Sequence, residues 1–117
     1  MKRGIIGILL ALSFGWSASA TSSTTNEFIR SCDVPVPSED CIVEYLVSIA
    51  AGVKYKSCRP QVAQYDAKGT FRQEEVYAET RKQIRNVVSW LKSHPELGSK
   101  DPTEPIGAAA AAKYPCK

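Results

Sequence analysis

From Thr25 to Ala112 the apolar positions recur at intervals of three and four residues, and no stretch alternates as a half-buried strand would. A short helical turn is expected over Asn26 to Cys32, with Thr25 as its cap and Phe28 and Ile29 as its apolar contribution. Val34-Pro35-Val36-Pro37 breaks it and holds the backbone extended. A second helix starts at Ser38, with Glu39 and Asp40 in its positive first turn and Ile42, Tyr45, Leu46, Ile49 and Val53 at helical spacing. On its adjoining face Ser48 and Gly52 are small enough for another backbone to approach. Its expected end lies at Lys54 to Ser57, before Cys58-Arg59-Pro60.

Gln61 to Gly69 is polar and reads as a loop or frayed turn closing at Lys68-Gly69. Thr70-Phe71-Arg72-Gln73 has the form of a capping box, and a long helix is expected from Phe71 to Ser93. At about 100° per residue, Val76, Tyr77, Thr80, Ile84, Val87, Val88 and Leu91 fill an arc of about 120°, which Trp90 widens to about 160°. That face is wider than one neighbour covers. It reads as a central core helix packed on two sides, or as a core helix whose excess width, at Trp90, meets a second copy of the chain. After Pro95, Asp101-Pro102-Thr103-Glu104 opens a last helix running through Ile106 to Ala112, with Pro105 able to delay its start by a turn. Its alanines favour helix but bury little area each, so weak anchoring is expected. The fold class is all-α, three to four helices in one small domain.

Composition adjusts this picture at the N-terminus. Lys2 and Arg3, the apolar run Gly4 to Trp16 and the small residues Ala18-Ser19-Ala20 have the three parts of a secretory signal, cleaved between Ala20 and Thr21. Residues 1–20 are therefore read as signal peptide and 21–117 as the mature domain. The apolar run is shorter than the roughly 20 residues of a spanning helix, so no membrane attachment is expected after cleavage. Of the 15 basic side chains two, Lys2 and Arg3, belong to the leader; the other 13 face 12 acidic ones, a formal charge of +1. So balanced a chain lacks the field that nucleic acid demands.

Cys32, Cys41, Cys58 and Cys116 all lie in the mature part. In a small exported chain they read as two disulfides with three possible pairings. Cys32 with Cys41, across the Pro-rich loop, and Cys58 with Cys116, tying down the alanine helix, are the expected pairs. The spacing has no C-x2-C for zinc and no C-x-x-C-H for haem, and His94 is the only imidazole. His94 sits before Pro95, at a helix end near carbonyls, rather than beside a thiolate. Glu39-Asp40 and Glu74-Glu75 are explained by the helix dipole, since adjacent helical residues diverge. No cofactor, metal or catalytic group is expected, and an exported enzyme ranks last among the readings.

Four features stand in order: an exported leader; Cys41-Ile42-Val43-Glu44-Tyr45 with Gly52; Cys58-Arg59-Pro60; and Val87-Val88-Ser89-Trp90-Leu91-Lys92-Ser93-His94-Pro95-Glu96 leading to Tyr114-Pro115-Cys116. This order resembles the Rap1a/Tai family of type VI secretion immunity proteins over about Phe28 to Cys116. The resemblance implies a helical periplasmic protein, often dimeric, that binds a peptidoglycan amidase effector and blocks its cleft. Such an inhibitor concentrates specificity in loops, and Tyr65, Asp66, Lys68, Phe71 and Arg72 are the expected partner-binding residues. A small periplasmic helical chaperone or stress protein is the alternative, although the single His and balanced charge offer no pH trigger.

Overall fold

The computed structural model describes residues 22–52 and 54–117; the leader, its Ala20–Thr21 junction and Val53 lie outside the described residues. Among the described residues there are four helices, α1 (Thr25–Cys32), α2 (Glu39–Ala51), α3 (Gln73–Lys92) and α4 (Thr103–Lys113), with a 3-10 turn at Pro95–Leu97. No strand forms among the described residues, only an isolated bridge between Tyr65 and Phe71.

Helix α1 begins one residue earlier than expected because Thr24, not Thr25, supplies the cap, accepting from the Glu27 N–H. Thr25 is thereby freed for the interior, where its Oγ1 and its N–H both donate to the Lys100 carbonyl. The Asn26 N–H donates to the Gly98 carbonyl, so the end of the α3–α4 connection lies flat on α1. A Cβ on Gly98 would stand 2.5 Å from the Asn26 side-chain amide, which would have to turn aside.

Ser38 caps α2, with the Cys41 N–H donating to its Oγ. The helix stops at Gly52, before the expected Lys54–Ser57 boundary. Ile42, Tyr45 and Ser48 are buried, whereas Leu46, at the edge of the same stripe, is 39 % exposed. Across from α2, the backbone of α4 comes close because both surfaces are small. A Cβ on Gly52 would lie 3.8 Å from the Thr103 carbonyl oxygen and 4.0 Å from the Gly107 Cα. The alanine-rich helix is consequently better seated than its small side chains suggested: Ile106, Gly107, Ala109 and Ala110 are buried. Pro105 does not delay it. Asp101 Oδ1 accepts from the Thr103 N–H, and the missing amide of Pro105 falls in the first turn, where no intrahelical partner exists.

Helix α3 packs against the other three and is the axis of the core. Thr80, Gln83, Ile84, Val87, Val88 and Leu91 are buried along it. The expected capping box does not form. The helix starts at Gln73 with no side-chain cap, because Thr70 and Phe71 are held in an extended turn by the segment before them. Trp90 is half-buried against the core, and the His94 ring stacks on it with centroids 3.7 Å apart.

The disulfides are Cys32–Cys41 and Cys58–Cys116, the two expected pairs. Two such bridges place the chain in an oxidising environment. Among the described residues no helix is long and apolar enough to cross a membrane.

Candidate functional site: a clamped loop with an exposed aromatic tip

Between α2 and α3 the described residues from Lys54 to Arg72 form no helix. A segment of that length inside a small domain is either disordered or functional, unless something holds it. Here three attachments hold its base. Cys58 is bridged to Cys116, and the Cys58 N–H donates to the Tyr114 carbonyl at 2.7 Å. Tyr114 is itself fixed on α3, since its hydroxyl accepts from Asn86 Nδ2 at 2.7 Å.

The third attachment is Gln83, a buried amide in the middle of α3. Its Oε1 accepts from the Tyr45 hydroxyl at 2.9 Å and from Arg59 Nη1 at 3.2 Å. Its Nε2 donates to the Pro60 carbonyl at 3.0 Å and to Glu79 Oε2 at 3.0 Å. All four hydrogen-bonding positions of the amide are used. The Arg59 guanidinium also lies 5.8 Å from the centre of the Tyr45 ring. Burial pushes the Tyr45 phenol up to about 12, against a partial offset from Arg59. This clasp joins α2, α3 and the loop base at one buried point.

Beyond Pro60 the segment closes on itself. The Arg72 N–H donates to the Gln64 carbonyl and the Asp66 N–H to the Thr70 carbonyl, which frames the Tyr65–Phe71 bridge. Asp66 Oδ1 accepts from the backbone N–H groups of Lys68 and Thr70, at 2.8 and 3.0 Å. The side chain thus replaces water inside the turn. Gly69 completes it with φ at 82°, the left-handed region where a side chain would be strained. Arg72 secures the neck: Nη1 donates to the Ala63 carbonyl, and Nε stands 3.9 Å from Glu75 Oε1.

All five expected partner-binding residues therefore gather at one tip, but with two kinds of role. Asp66 and Arg72 shape the turn. Tyr65, Phe71 and Lys68 are displayed by it, with Tyr65 59 % and Phe71 44 % exposed. The two rings meet edge to face at 5.9 Å. Beside them, Asp66, Phe71, Arg72, Gln73, Glu74 and Glu75 line a shallow concavity. Gln83, Arg59 and Tyr45 were not singled out for any joint role in the sequence, since a glutamine on an apolar helix face carries no periodicity signal.

Among the described residues all four cysteines are bridged, and no group of three His, Cys, Asp or Glu side chains is placed to hold a metal ion. His94 Nδ1 lies 2.8 Å from the Trp90 carbonyl oxygen. A carbonyl only accepts, so Nδ1 carries the proton, and the imidazole serves as a cap on the end of α3. What the arrangement offers is an internally bonded turn that carries two exposed aromatic rings. No protein-family description, curated protein or solved structure matches the chain.

Proposed function

We propose that the protein is a periplasmic immunity protein that binds and inhibits a peptidoglycan amidase effector delivered by type VI secretion, and that it does so without chemistry of its own. The observation that carries this reading is the tip: two exposed aromatic rings on a turn whose backbone groups are bonded internally, mounted on a base clamped by a disulfide and a buried amide. Rigid aromatics lose little conformational freedom on binding and are frequent anchors at the centre of interfaces. The resemblance in the order of sequence elements, from Cys41 to the Tyr114-Pro115-Cys116 close, supports the choice of partner class. The two disulfides support the compartment.

The test is co-expression. The product of the reading frame beside this gene is exported to the periplasm of a sensitive bacterial host, with and without this protein. The reading expects lysis without it and protection with it, abolished when Tyr65 and Phe71 are both replaced by Ala. Purified protein that itself cleaves peptidoglycan with turnover contradicts the reading, as does an adjacent product that attacks no cell wall.

A further inference from the structure

A disulfide is opened by a thiolate that reaches one of its sulfurs, so exposure and local charge decide which bridge a reductant attacks. Cys32 and Cys41 are 1 % and 2 % exposed and belong to the core cluster. The charges beside them are mainly acidic: Asp33 is paired with Lys92, while Glu39 and Asp40 form no ion pair among the described residues and disfavour a thiolate there.

The other bridge has the opposite surroundings. Cys58 and Cys116 are both exposed. Lys56 and Arg59 flank the first, Lys113 and Lys117 the second, and neither 54–62 nor 110–117 holds an Asp or a Glu. Positive charge draws an attacking thiolate in and stabilises the thiolate that departs. This bridge is also the covalent part of the loop base. Once it opens, the base keeps only the Cys58–Tyr114 backbone bond and the hydrogen bonds of Arg59 and Pro60 to Gln83.

We propose that Cys58–Cys116 is a thiol–disulfide exchange site for dithiol reductants, small or protein-borne, and that its opening releases the loop base while Cys32–Cys41 keeps the helical core intact. A reductant thiolate forms an S–S bond to one sulfur of the bridge, and the other sulfur leaves as a thiolate. The second thiol of the reductant then displaces that sulfur and closes the reductant's own disulfide. The bridge gains two electrons and the two protons of the reductant's thiols, and the reductant is oxidised by the same two electrons. The exchange stands apart from the immunity reading, because it holds whatever the tip binds. Where that reading holds as well, the exchange loosens the mount of the 65–71 tip.

The experiment incubates the oxidised, folded protein with dithiothreitol or with thioredoxin kept reduced, quenches with iodoacetamide at intervals and maps the alkylated cysteines by mass spectrometry. Far-UV circular dichroism is recorded on the same samples. Cys58 and Cys116 are expected to be alkylated at least about 100-fold faster than Cys32 and Cys41, because the buried pair is reached only when the whole domain opens. In urea the four should react alike. The half-reduced protein is expected to keep its helical signal and to be cut between residues 54 and 72 at least about tenfold faster than the oxidised form. Equal rates for the two bridges in the folded protein overturn the selectivity, and a half-reduced protein cut no faster in that segment overturns the release. Opening by dithiothreitol but not by thioredoxin overturns the exchange with protein-borne dithiols. Cys58→Ser with Cys116→Ser gives an independent view of the reduced state: a variant without helical signal overturns the claim that the core stands on Cys32–Cys41 alone.

Discussion

The two disulfides work in opposite settings. Cys32 and Cys41 are buried and span nine positions; in the loop they close Pro37 is buried while Val34 and Val36 are exposed. That loop is held from α3 as well: Arg81 Nε donates to the Pro37 carbonyl, Arg85 Nη1 to the Pro35 carbonyl, and Lys92 Nζ stands 2.8 Å from Asp33 Oδ2. Cys58 and Cys116 are exposed, span 58 positions and join two segments that share little apolar contact. The difference separates two ways of fixing irregular backbone. The Pro-rich loop is short, closed by a buried bridge and strapped to α3 along its length. The longer segment is tied only at its base, so its far end is rigid and remains outside.

Removing the bridges one at a time tests that contrast. Cys32→Ala with Cys41→Ala is expected to cost the most, about 5 kcal/mol in urea unfolding. Roughly half is the entropy of a short closed loop, and the remainder is the cavity left by two buried sulfurs. Cys58→Ala with Cys116→Ala is expected to cost about 4 kcal/mol, nearly all of it entropy of the long closed loop. Limited proteolysis distinguishes them further. Loss of the exposed bridge should open cleavage sites between residues 54 and 72 while the helices resist; loss of the buried one should sensitise the whole chain at once.

Gln83→Ala addresses the other attachment of the long segment. It strands the buried Tyr45 hydroxyl and frees the Pro60 carbonyl, and is expected to cost about 3 kcal/mol. It should also expose the segment to protease, as loss of the Cys58–Cys116 bridge does, whereas Arg85→Ala at the Pro-rich loop should not. Equal protection of the segment in Gln83→Ala would mean that the disulfide alone holds it.

A smaller effect follows from the same clasp at alkaline pH. Burial raises the Tyr45 phenol from its ordinary value near 10 to about 12, so the folded state resists its ionisation more than the unfolded state does. The contribution of the neutral phenol is intact below pH 10 and is lost as pH rises through 12. Melts of the wild type and of Tyr45→Phe should therefore converge between those values. Parallel curves would show that Tyr45 ionises freely.

Much of this architecture was legible because it depends on local rules. Ser38 as a cap, Asp101 before the last helix, the breaks at Pro35 and Pro95 and the α3 stripe all act within a few residues of themselves. The same locality explains the errors. Thr70 has the form of a capping residue, but its backbone is committed to Asp66, a competition that the four-residue pattern does not contain. Leu46 matched the period of α2 and still lies at the edge of the buried arc, because where the neighbouring helices stop is a tertiary fact. The anchoring of α4 was underestimated for the opposite reason: small side chains bury little area but admit close backbone approach. At the site, the resemblance pointed to the loop residues without separating Asp66 and Arg72, which shape the turn, from Tyr65 and Phe71, which it presents. Gln83 left no trace, since its function depends on three segments meeting.

In the proposed inhibitor the 65–71 tip carries binding and not stability. Tyr65→Ala with Phe71→Ala, titrated calorimetrically into the product of the adjacent reading frame, tests it directly. The melting temperature should fall by no more than about 3 °C, because both rings lie outside the core, Tyr65 59 % and Phe71 44 % exposed. Affinity should fall at least about 100-fold, as expected for two anchors at the centre of an interface. Unchanged affinity would contradict the account, and so would a collapse of the melt that showed the rings to be part of the fold.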